Sequence, residues 1–179
     1  MPLIVCIIAI IFLTTSIIYF GRKIKNYSHI KHTISELGQT GSVFEKQVSL
    51  GLFLPVGILL VIVALLEKEN SYVMGLSSAL AIGYIAAVFF PCDPGSPSSG
   101  SWKQQLHNLG GFIEYAGSIY FIMKAGEQDF HLWIIPFKTV GYILIGCIII
   151  TSVPNNPVRG LAQRIGELLI FGCLIWQLV

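Results

Sequence analysis

Residues 2–20 read PLIVCIIAIIFLTTSIIYF, a run without one charged side chain that closes on Gly21, Arg22 and Lys23. About 20 apolar residues at 1.5 Å rise cross a hydrocarbon core of about 30 Å, so this stretch predicts a membrane-spanning helix. A cleaved signal peptide would carry a basic region before the run and a small-x-small site after it, and the sequence has neither.

The remainder of the chain follows the same solvent. Of 179 residues 54% are hydrophobic and 11% charged, with a mean hydropathy of +0.76, whereas a soluble domain carries about 25% charged residues. Apolar runs recur over 48–66, 71–90, 107–124, 131–152 and 158–179. Between them lie the polar turn Glu67 to Asn70, the Pro-, Gly- and Ser-rich stretch 91–100, the turn at Glu127, Gln128 and Asp129, and Pro154-Asn155-Asn156-Pro157. The expectation is an all-α, integral membrane six-helix bundle, one domain over residues 1–179, multi-pass in the cell membrane. Gly75, Ala79, Gly83 and Ala87 recur every four residues on the third run, a spacing that lets two membrane helices approach closely and places this helix centrally.

Eleven Lys and Arg against nine Asp and Glu give +2 without a basic block, which argues against a nucleic-acid partner. Cys6, Cys147 and Cys173 fall inside apolar runs and only Cys92 reaches a loop, so neither a disulfide framework nor a paired-cysteine metal site is expected.

With six spans, the connections after helices one, three and five share one side, face B, and the other two connections share face A with both termini. Face B holds Arg22, Lys23, Lys25, Lys31, Lys46, Lys103, Arg159 and Arg164, against Lys68 and Lys124 on face A. By charge count face B is cytoplasmic, although basic residues belonging to a ligand site would bias that count. Lys138, within the fifth run, is expected to snorkel to face A. His29 and His131 read as interfacial.

The unusual polar residues gather at face B. The first connection, about 27 residues, is long for a structureless loop and carries His32, Ser35 and Glu36, with Glu45 beyond. On the fourth run His107 and Glu114, seven apart, share one stripe, with Glu114 about 10 Å below the face. On the sixth, Arg164 and Glu167 are spaced to pair along the helix. A charge inside a bilayer costs roughly 2.5–3.5 kcal/mol, so Glu114 and Glu167 are expected to face a polar interior. Asp93, before Pro94 and Gly95, suits either a turn or a ligand role. The sequence therefore predicts a polar cavity lined by His32, Ser35, Glu36, Asp93, His107, Glu114 and Glu167. Its leading occupant is a lipid head group, with no cofactor. One alternative is a lipid hydrolase or transferase with zinc on His32, Asp93 and His107 and Glu36 as general base. Another is a proton-coupled carrier using His107, Glu114 and Glu167. A triad built on Ser35 has little support in the spacing.

Four segments in order, HTISELGQTGS (32–42), FFPCDPG (89–95), LHNLGGF (106–112) and LAQRIGE (161–167), resemble the prokaryotic six-helix membrane family known as domain of unknown function 998, across essentially the whole chain. More distantly the layout resembles the eukaryotic family of the autophagy modulator DRAM and its relatives in GPI-lipid remodelling. That resemblance carries onto Ser35, Glu36, Gly38, Glu45, Asp93, His107 and Glu167, although Phe44 stands where the eukaryotic group has proline. It implies lipid-related work and a first loop outside the cytoplasm, opposite to the charge count, so orientation stays open.

Overall fold

A computed structural model describes residues 1–179. Six helices account for nearly all regular structure: α1 Pro2–Lys23, α2 Glu45–Leu66, α3 Ser71–Phe89, α4 Trp102–Ala125, α5 Phe137–Ser152 and α6 Arg159–Leu178. The chain is an all-α membrane protein. Four helices, α1, α2, α3 and α6, are long and apolar enough to cross a bilayer. The 24-residue α4 has the length but carries polar groups, and α5 has 16 residues, about 24 Å of rise.

The ends of these helices follow local chemistry. Asn70 caps α3 by accepting from the N–H groups of Tyr72 and Val73 at 3.2 and 3.3 Å, satisfying donors that a helix start leaves orphaned. α4 begins at Trp102, several residues before the expected His107, because the Ser101 hydroxyl accepts from the Gln104 N–H at 3.2 Å. α5 begins at Phe137 instead of near His131. Pro136 cannot continue a helix and biases its predecessor toward extended backbone, so His131–Leu132 (β1) and Ile135–Pro136 (β2) pair as a short antiparallel hairpin. In α2 the turn Ser49–Phe53 widens to π geometry, with the Leu54 N–H reaching the Ser49 carbonyl. This bulge sits immediately before Pro55, whose ring and missing N–H disrupt regular α-helical bonding.

Sequential helices pack side by side from α1 to α6, α6 closes back on α1, and α3 and α6 also touch inside the ring. The expected small-residue contact forms between α3 and α4. A Cβ on Gly117 would meet Ala79, one on Gly110 would meet Ala86, and one on Gly83 would run into the Glu114 side chain. Leu52, Leu60, Leu76, Leu80, Ile122 and Leu174 fill the centre without solvent exposure. Ile4, Ile11, Leu65 and Leu168 point outward, a surface that fits acyl chains and would be an aggregation liability in water.

Candidate functional site

At face B the first and third connections are joined to each other, and the first is joined to the start of α6. Thr40 N–H donates to the Cys92 carbonyl at 2.8 Å, Gly95 N–H to the Gln39 side chain at 3.0 Å, and Leu161 N–H to the Ile30 carbonyl at 3.0 Å. Arg164 extends this docking: it donates to the His32 carbonyl at 3.0 Å and to the Tyr27 hydroxyl at 2.6 Å. The expected pairing of Arg164 with Glu167 therefore does not form. The guanidinium is drawn toward loop acceptors near the membrane surface, where its desolvation is smaller.

Beneath these loops lies a cavity of about 280 Å³ between α3, α4, α5 and α6. Of the residues expected to line it, Ser35, His107, Glu114 and Glu167 do so, whereas His32, Glu36 and Asp93 do not. Each of these three has a structural partner. His32 Nδ1 accepts from the Ser28 N–H at 2.8 Å and its ring stacks on Tyr27. Glu36 accepts from the Thr33 N–H and hydroxyl, closing the turn Ser35–Gly38. Asp93 accepts from the Ser101 N–H at 2.7 Å and hydroxyl at 2.8 Å, fixing the residue that caps α4. His32, Asp93 and His107 do not converge, and no other three His, Cys, Asp or Glu side chains are grouped to hold a metal ion.

Cys92, the one loop cysteine, is buried and donates toward the Ser35 carbonyl at 3.4 Å. Burial, then the neighbouring Glu36 charge, pushes its thiol up to about 12, which keeps it out of nucleophilic chemistry at neutral pH.

At the inner end of the cavity Glu114 and Glu167 are 9% and 5% exposed. Glu167 accepts from the Tyr84 hydroxyl at 2.9 Å and from the Tyr115 hydroxyl at 3.1 Å, one on each carboxylate oxygen. Glu114 has no such donors; its polar neighbour is the Glu167 carboxyl, and its own carboxyl lies against Gly83. His107 directs Nδ1 to the Phe90 carbonyl at 2.9 Å. A carbonyl only accepts, so Nδ1 bears the proton and Nε2 keeps a free lone pair.

Sequence reasoning missed several lining residues. Arg159, Gln163 and Glu167 are spaced four apart on α6 and all line one wall; that spacing is visible in the sequence, but the charge count takes Arg159 only as one of the face-B basic residues. Arg159 is 6% exposed and donates to the carbonyls of Gly95 at 2.8 Å and Ser96 at 3.0 Å. Tyr84 and Tyr115 each lie within an apolar span, and nothing in their spacing marks them as partners of one carboxylate.

No curated protein and no solved structure matches this chain. The sequence pattern of the family described as protein of unknown function, DUF998, matches residues 6–179, and the chain belongs to that family.

Proposed function

We propose that the cavity binds the polar head group of a membrane lipid and that the protein organises or presents that lipid within the cell membrane. The observation that carries this reading is where the cavity opens. Phe112, 60% exposed on the outer face of α4, and exposed Ser152 of α5 both border it. Gly111 lies beside Phe112, and a Cβ there would touch nothing. A polar interior that reaches the lipid-facing surface between two helices suits a molecule with a hydrophilic head and apolar tails. Free His107 Nε2, Glu114 and Gln163 offer the head group acceptors and a donor, and Arg159 offers charge-assisted donors.

Thermal-shift measurements in mixed micelles test the reading with phosphatidylethanolamine, phosphatidylglycerol, phosphatidylcholine and diacylglycerol. At least one lipid is expected to raise the wild-type melting temperature by several degrees more than that of a His107→Ala, Glu114→Gln double variant. Equal shifts in both proteins, or none, would overturn it. Stoichiometric zinc whose chelation removes the lipid effect would favour the metal-dependent hydrolase or transferase, and pH-driven uptake in proteoliposomes would favour the carrier.

A further inference from the structure

The cavity carries opposite, uncompensated groups at its two ends. At the face-B end Arg159 is buried without a carboxylate partner: the only ion pairs in the molecule are Lys68 with Glu69 and Lys124 with Glu127, both elsewhere. Its two terminal nitrogens reach loop carbonyls, while Nε is buried with no partner at all. Carbonyl dipoles orient a guanidinium but do not neutralise it, and a buried charge left this way is costly unless something supplies the counter-charge. At the other end neither Glu114 nor Glu167 forms an ion pair. Two carboxyls that meet in one low-dielectric site balance by sharing a proton or by holding a cation. Tyr84 and Tyr115 occupy both oxygens of Glu167, which leaves Glu114 as the group free to receive a ligand.

Eight residues of α6, about 12 Å of rise, separate Arg159 from Glu167, with Gln163 midway on the same wall. We infer that the ligand is amphoteric: an anionic phosphate at Arg159 and a primary ammonium at Glu114. This deepens the lipid reading and rests on it for the source of the ligand. A phosphate accepts the bidentate fork of a guanidinium, and an ammonium supplies the donors that Glu114 lacks. An aminophospholipid carries both groups. A choline head group presents no N–H to Glu114, and a glycerol head group presents no positive charge.

The test compares lipids with identical acyl chains in thermal-shift titrations of the full chain. Phosphatidylethanolamine or lysyl-phosphatidylglycerol, whose ammonium lies further from the phosphate, is expected to stabilise the wild type at concentrations at least tenfold lower than phosphatidylglycerol or phosphatidylcholine. Glu114→Gln, which keeps the shape, should abolish that preference while retaining the weaker response to phosphate. Arg159→Gln should weaken the response to all four phospholipids. If Arg159→Gln fails to fold, the Glu114→Gln comparison decides alone. Phosphatidylglycerol matching both aminophospholipids, or Glu114→Gln keeping the preference, would overturn the amphoteric assignment while leaving lipid binding intact. No response to any lipid would overturn both. Soluble phosphoethanolamine protecting as well as the lipids would support the head-group chemistry and overturn the lipid source.

Discussion

At face B the first and third connections are bonded to one another, the third to the cap of α4 and both to the start of α6. At face A the turn after α2 and the β1–β2 hairpin stand largely apart. Face A keeps its charges at the surface, as in Lys124 with Glu127 at 3.1 Å, both about half exposed, and leaves Trp133 and Ile134 78% and 91% exposed. Face B buries Glu36, Arg159 and Gln104 and, deeper, Glu114 and Glu167. Surface ion pairs contribute little to stability, whereas buried polar groups carry large penalties when a partner is lost. The difference teaches that most polar specification of this bundle lies at one end, above the cavity, and that the other end tolerates change.

Substitutions at the two ends can break that contrast. The largest effect is expected from Gly160→Val, because a Cβ there would meet the backbone carbonyl of His32, which has no rotamer with which to yield. Overpacking of this kind costs about 1–3 kcal/mol, read as a fall in the detergent melting temperature and faster proteolysis of the first loop. Asp93→Ala comes next: it removes both bonds to Ser101 and loosens the α4 cap, a loss of about 1–2 kcal/mol by analogy with direct caps, measurable by the same melting curves. If either variant melts like the wild type, face B is not the specified end.

A subtler effect sharpens the contrast through pH. Burial lowers the His29 pKa below its ordinary value, aided by the Arg164 and Arg22 charges. The folded state therefore takes up its proton later than the unfolded state as pH falls. The stability is fully present above about pH 6.5 and declines below it. Melting temperature should fall on acidification, and His29→Gln should flatten that part of the curve. At face A, Lys124→Ala is expected to leave the melting temperature unchanged within error, since its partner Glu127 is an exposed neighbour on the same turn; a clear drop would erase the contrast.

The fold was legible because bilayer physics writes itself into runs of sequence: the uncharged stretch from Pro2 to Phe20 and the small-residue spacing on α3 both became the structures they imply. Helix starts were less legible where a side chain several residues away decides them, as Asp93 does through Ser101, and where Pro136 outweighed an apolar run. The cavity was half legible. The cost of a carboxyl in lipid marks Glu114 and Glu167, whereas Glu36 and Asp93, assigned to the cavity from their loops on face B, are satisfied locally by Thr33 and Ser101. Arg159 was missed because a basic residue at a helix start reads as surface charge until the loop that covers it is known. The hydroxyls of Tyr84 and Tyr115 meet one carboxylate from different helices, a convergence that only tertiary structure creates.

The claim at the centre is that the space between α3, α4, α5 and α6 holds a lipid. Gly111→Trp addresses it most directly, since the glycine borders the cavity and a Cβ there would meet nothing within 4 Å. Native mass spectrometry of protein extracted in mild detergent is predicted to show one phospholipid retained per wild-type chain and none on Gly111→Trp at an unchanged melting temperature. Equal retention by both proteins, or no phospholipid on the wild type, would contradict the account.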